Sequence, residues 1–295
     1  MEWMAQPHSL TTIGTCLRCS FSHGGVRMTR LDQKINQTGS KPLLGVALYS
    51  YDPIFLEIAA HMGFQVVWIE MEHAAISFAE AADLCRMAAG TGMLTMIRIP
   101  DARRESVLKA AECGPDMIDI PMADSPEDVA ELVRYARFAP IGARGFFSVS
   151  RALKYGIVDD VPEEQQRLNT ELALLAQIET VEAVARVEEI AAIPGVEIFI
   201  GPADLAASLG IPGQTGHPRL LEAAEQIIRV ARKHDKRVIT ACGTADFAHW
   251  VRLGVDLLFC TNNVVALKAG TQLALNEANK AIAAVNHERN EVSTY

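Results

Sequence analysis

Two carboxylates stand just past two consecutive apolar runs. Residues 172–176 run into Gln177 and Glu179, and residues 196–200 run into Gly201, Pro202, Ala203 and Asp204, with a helix-like stretch over 181–192 between them. That pattern reads as strand, helix, strand, with one acid at the carboxyl end of each strand. In a parallel α/β protein those ends open on one side, so Glu179 and Asp204 should face one pocket. Two carboxylates without His or Cys beside them suit a hard, oxygen-seeking cation such as magnesium or manganese, which keeps positions free for water or substrate. The Gly201-Pro202 turn leads into a short helix whose free amide groups, at Ala203 and Asp204, would point at an anion.

Other strand ends add to the same rim. Glu70, Glu72 and His73 follow the run 66–69, and Arg98 follows 94–97. An imidazole titrates near neutrality and becomes a general base when a carboxylate supports it, and Glu70 is the nearest acid before it. Alone, one histidine is more often a surface or capping residue; Arg98 alone is as readily a salt bridge on the rim as a group that neutralises an oxyanion. Their coincidence on one rim favours chemistry. No lysine falls at a strand end, which argues against Schiff-base catalysis. No GxGxxG follows the first strand, and neither a Walker A loop nor a GxSxG elbow is present.

From residue 41 onward the chain alternates short apolar runs with helical patterns. Strands are expected at 43–48, 66–69, 94–97, 117–120, 172–176, 196–200, 237–241 and 257–260. Helices are expected at 53–62, 78–89, 104–113, from Pro126, and at 181–192, 217–234, 245–253 and 264–286. Ser77 and Ser125 are placed to cap two of them. Eight such units make a closed (β/α)8 TIM barrel, with a doubly wound open sheet as the other arrangement this pattern allows. Residues 139–170 break the rhythm and read as a long excursion that walls the pocket. Residues 1–40 show no sustained period and are expected to be a disordered or processed extension, with Met28 an alternative start.

The acidic balance, 36 Asp and Glu against 27 Lys and Arg, and the absence of a basic cluster speak against nucleic-acid or membrane-surface partners. No apolar run reaches the roughly 20 residues that span a bilayer. Six scattered cysteines read as reduced thiols of a cytoplasmic protein, and the single CxxC at Cys16 and Cys19 lacks a second pair.

Taken together, Leu-Ala-Gln-Ile-Glu-Thr (175–180), Phe-Ile-Gly-Pro-Ala-Asp-Leu (199–205), Glu72-His73, Arg98 and Pro140-Ile-Gly-Ala-Arg-Gly145 resemble the HpcH/HpaI class II pyruvate aldolases, over residues 40 to 275. The resemblance implies a metal-dependent barrel that cleaves 4-hydroxy-2-oxo acids to pyruvate and an aldehyde through a metal-bound enolate. It also implies a cytoplasmic hexamer, a trimer of dimers that exchange their last helix. Carried onto this chain, Glu179 and Asp204 hold Mg2+, Mn2+ or Co2+. Gln177, Gly201, Pro202, Ala203 and Asp204 hold the oxo acid, His73 is the base, Arg98 stabilises the enolate, and Glu70 and Glu112 occupy the places of supporting acids. The family commonly has Asp at both of those positions and Trp where this chain has Ala47. Related activities compatible with the same residues are oxaloacetate decarboxylation, enolate addition of the macrophomate synthase type, and keto-acid binding without catalysis.

Overall fold

The computed structural model describes residues 28–39 and 41–292, with side chains to residue 286. Eight parallel strands close on themselves in chain order: β1 (Leu43–Leu48), β2 (Val66–Glu70), β3 (Leu94–Arg98), β4 (Met117–Ile120), β5 (Ala173–Ile178), β6 (Val196–Ile200), β7 (Val238–Ala241) and β8 (Leu257–Asn262). Pairing of Leu43 with Leu257 and Leu44 with Leu258 seals β1 to β8, which rules out the open sheet. Both faces of each strand are covered, and this is why they read as continuous apolar runs rather than alternating ones.

The helices that precede the fifth strand are α1 (Arg30–Thr38), α2 (Pro53–His61), α3 (Phe78–Thr91), α4 (Arg104–Glu112), α5 (Pro126–Ala136) and α6 (Val161–Glu171). After it come α7 (Val181–Ala185), α8 (Val187–Ala191), α9 (Pro202–Ser208), α10 (Pro218–Lys233), α11 (Phe247–Leu253) and α12 (Asn263–Val292). Their starts are set by local chemistry. Asp52 accepts from the Phe55 N–H with Pro53 behind it, Ser77 and Glu80 form a reciprocal capping box, and Ser125 accepts from the Asp128 N–H ahead of Pro126. The helix expected over 181–192 is two short ones broken at Arg186, where φ is −106°.

Helix α1 corrects the reading of residues 1–40 as an extension outside the fold. Leu31 and Ile35 are buried inside the barrel base against Leu43, Val66, Leu94 and Met117. Arg30 pairs with Asp116 at 2.6 Å and Asp32 with Arg237 at 2.7 Å, both partners lying just before strands. An amphipathic nine-residue helix is a weak signal in sequence, because its apolar face is only two residues wide. Residues 1–27, including Cys16 and Cys19, lie outside the described residues. Leu31→Ala should cost about 2–5 kcal/mol, the usual range for emptying a buried leucine site. Urea unfolding checks this, and a loss below ~1 kcal/mol would show that α1 is not docked as described.

The excursion also lies elsewhere than expected. It joins α5 to β5, so it belongs to the side of the barrel where strands begin, and it shares a pocket with Met28 and with Gln33 of α1 rather than walling the mouth. Arg151 fastens it by donating to the carbonyl oxygens of Cys113, Gly114 and Cys85. At the other terminus, α12 is a 30-residue helix that touches β1 and β8 only near its start. It is exposed from residue 267 through residue 286, Leu267, Leu273, Leu275 and Ile282 included.

Candidate active site

A cavity of about 550 Å³ opens where the strands end. Its floor is aromatic: Trp68, Phe199 and Phe259 sit with ring centroids 5.3 to 6.2 Å apart. Ala47 pairs with Trp68 in the β1–β2 register, so the space that a small residue leaves on β1 adjoins the indole on β2.

On one wall, β2 and β3 bring Glu70, Glu72, His73 and Arg98 together. Glu70 is 1% exposed. Its Oε1 accepts from the backbone N–H groups of Glu72 (2.7 Å) and His73 (2.9 Å), and its Oε2 accepts from Arg98 Nε at 2.6 Å. Glu70 therefore shapes the turn that carries His73 and holds Arg98, and the imidazole's own neighbour is Glu72, with Oε2 3.6 Å from Nε2. The same Glu72 oxygen lies 3.1 Å from Arg98 Nη1. Burial raises the Glu72 carboxyl, against the pull of Arg98 and His73. Arg98 stacks over Trp68 at 4.8 Å; burial works against its charge, yet Glu70's charge and hydrogen bond prevail and raise its pKa.

The facing wall comes from β5, β6 and the start of α9. Gln177 and Glu179 are both 2% exposed; Gln177 Nε2 donates to Glu179 Oε2 at 2.6 Å, and the Met122 N–H donates to Oε1 at 2.7 Å. Gly201 is required here by close approach. A Cβ built on it would lie 2.5 Å from Glu179 Oε2 and 2.8 Å from Gln177 Nε2. Gly201, Pro202, Ala203 and Asp204 line the cavity, with Glu179 set just behind them.

The donor set fits a hard cation. Burial, with the charge of Asp204 adding to it, pushes Glu179 up to about 7 against the hydrogen bonds from Met122 and Gln177, so a positive ion beside it would relieve the buried charge. Gln177 Oε1 is buried without a hydrogen-bond partner, an oxygen left over beside them. Among the described residues no group of three or more His, Cys, Asp or Glu side chains is placed to hold a metal ion, so the protein would offer such a cation two carboxylates at most.

Glu112 does not join this constellation within the chain. It ends α4, on the side where strands begin, and accepts from Arg144 Nη2 of the excursion at 2.9 Å. A helix after a strand runs back down the barrel, and the resemblance alone had put this acid next to His73. Two residues at the centre were missed. Asp119, on β4 beside Arg98 in register, is completely buried, and neither of its oxygens has a hydrogen-bond partner. Burial, with the nearby charges of Glu179, Glu70 and Glu72 and against the pull of Arg98, holds its carboxyl well above the usual range. Tyr49, one residue past β1, lines the cavity; its backbone N–H is fixed by Asn263 Oδ1 at 3.0 Å. A lone acid in the apolar run Met-Ile-Asp-Ile and a polar residue directly after the first strand were the available signals.

Comparison with known proteins agrees with this geometry. The family model for HpcH/HpaI aldolase/citrate lyase matches residues 44–262. A 2-keto-3-deoxy-L-rhamnonate aldolase of Klebsiella pneumoniae is 33% identical over 229 residues, 74% of this chain and 84% of the relative. A hydroxypyruvate/pyruvate aldolase of Sagittula stellata is 36% identical over 168 residues, 57% of this chain and 65% of that relative, so the match spans slightly less than two thirds of its length. The crystal structure of an HpcH/HpaI aldolase from Desulfitobacterium hafniense superposes with a TM-score of 0.77 at 30% identity, covering 85% of this chain and 96% of the other. The closed barrel and relatives named as aldolases thus define a barrel enzyme of the carbon–carbon lyase class. The chain belongs to the HpcH/HpaI aldolase/citrate lyase family.

Proposed function

We propose that this enzyme is a divalent-metal-dependent aldolase that reversibly cleaves a 4-hydroxy-2-oxo acid to pyruvate and an aldehyde. The observation that carries the proposal is one cavity lined by Gln177 and Asp204, with Glu179 hydrogen-bonded to Gln177 just behind them, and by a buried arginine and a histidine. Glu179 and Asp204 would hold magnesium, manganese or cobalt, which supplies Lewis-acid polarisation of the substrate's oxo group. Gln177 and the Gly201–Asp204 turn fix the oxo-acid end. His73 takes the 4-hydroxyl proton, oriented by Glu72, and the carbon–carbon bond breaks as the aldehyde carbonyl forms. Charge then gathers on the departing enolate, where Arg98 is already held in place by Glu70 and has no reorganisation left to make. Return of the proton from His73 to the enolate's methylene carbon gives pyruvate, and condensation retraces these steps.

Oxaloacetate decarboxylation and enolate addition to another acceptor draw no specific support, and relatives named as aldolases favour cleavage. Binding without catalysis is disfavoured because His73 keeps a carboxylate neighbour. The exposed apolar residues of α12 support a homo-oligomer in which that helix packs on another copy, exchanged within dimers of a hexamer. The four cysteines among the described residues are free thiols, which supports a reducing, cytoplasmic setting. Among the described residues no helix is long and apolar enough to cross a membrane. With manganese or magnesium added, the protein should exchange the methyl protons of pyruvate for deuterium in heavy water, followed by proton NMR. A metal-loaded protein that exchanges none is not a pyruvate aldolase.

A further inference from the structure

Three buried oxygens at the centre of the barrel lack the same thing. Both oxygens of Asp119 and Oε1 of Gln177 are shielded from solvent, and among the described residues no donor reaches any of them. Met117 and Leu175 point into the barrel interior, and strand alternation puts Asp119 and Gln177 on that same side. Asp119 lies opposite Leu175 in the β4–β5 register, two residues short of Gln177. Such a diagonal pair is about 7–8 Å apart at the backbone, a gap that an aspartic acid and a glutamine side chain can close between them. The amide is already fixed on one side, where Nε2 donates to Glu179 Oε2 at 2.6 Å, which leaves Oε1 on the other. Arg98, beside Asp119 on β3, directs its Nε to Glu70 and its Nη1 to Glu72 and donates nothing to Asp119. A carboxylate buried without a donor is costly, whereas a neutral acid avoids that cost and gains an O–H of its own. The raised carboxyl described above agrees with that state, under the charges of Arg98, Glu179, Glu70 and Glu72.

We infer that Asp119 is a positioning residue: its neutral carboxylic acid donates to Gln177 Oε1 and so locks the amide that holds the oxo acid and steadies Glu179. Strand β4 and the turn after it then support that wall twice, through the Asp119 hydroxyl and through the Met122 N–H at Glu179 Oε1. A buried carboxylic acid kept neutral so that it can donate is an established way of ordering an active site. The inference rests on the aldolase reading for the task of Gln177, and adds to it a residue that does not itself line the cavity.

The test compares the full chain, loaded with manganese, with Asp119→Asn, which keeps a donor without a charge, and with Asp119→Leu, which keeps neither. Infrared difference spectra at neutral pH should show a protonated-carboxyl band in the unchanged protein that Asp119→Asn lacks. In pyruvate proton exchange, Asp119→Leu should raise KM about three- to tenfold with kcat changed less than about twofold, the usual effect of one neutral hydrogen bond that acts on binding alone. Asp119→Asn should bring KM back to within about twofold of the unchanged protein. A missing band, or an asparagine variant as impaired as the leucine one, overturns the neutral donor. An unaltered KM in Asp119→Leu overturns the positioning role. Should the leucine variant fail to fold, the band and the asparagine variant decide. Absence of exchange in the unchanged protein removes the aldolase reading beneath, while the band still decides whether Asp119 carries the proton.

Discussion

Glu179→Gln should abolish tight manganese binding and lower aldol cleavage by on the order of a thousandfold, the several kcal/mol that a cation contributes to charge stabilisation in such reactions. The substitution keeps an oxygen able to accept from the Met122 N–H, so the wall should stay folded while the charge is lost. The pH dependence gives a second readout. Without metal the Glu179 carboxyl sits at about 7, above its ordinary 4.5. Proton and cation therefore compete for it, and manganese affinity measured by calorimetry should fall about tenfold per unit as pH drops below 7, then level off above. The folded state binds this proton more tightly than the unfolded chain does. The group therefore stabilises the metal-free protein fully below about 4.5, and that contribution is lost as pH rises toward 7. Affinity that stays flat between pH 5.5 and 7 would remove Glu179 from the metal site.

Arg98→Met is the other large effect, and it combines two losses. Stability should fall by about 3–5 kcal/mol, because Glu70 is left charged and buried without its partner. Turnover of the remaining folded enzyme should fall about 10²- to 10³-fold, as when one preorganised oxyanion donor is removed. Adding Glu70→Gln separates the two: the amide oxygen can still accept from the Glu72 and His73 N–H groups, so most of the stability should return while activity does not. Chemical denaturation with single-turnover kinetics decides it. Recovery of activity in the double variant would show that Arg98 acts through folding alone.

The barrel was legible because its strands are buried on both faces and two of its helices carry explicit starts at Ser77 and Ser125. The rim was legible for a related reason: a charged residue directly after an apolar run marks a strand's carboxyl end, and in this fold all such ends converge. Direction along the barrel was harder to read. Glu112 and the excursion 139–170 lie on the side where strands begin, as the antiparallel return of each helix dictates, yet a motif resemblance carries no such geometry. Asp119 was hidden because an acid inside a four-residue strand looks like an interruption, while its significance depends on Arg98 beside it on the next strand. The pairing of Ala47 with Trp68 is equally invisible in one dimension, since 20 residues separate two side chains that share one layer of the interior.

Helix α1 gives the barrel a stopper. Leu31 and Ile35 continue, at the base, an interior already filled by Met96, Met117, Leu175 and the aromatic floor, so the cavity opens only where the strands end. An aldolase working in this cavity would admit its substrate and release both products at the same end of the barrel.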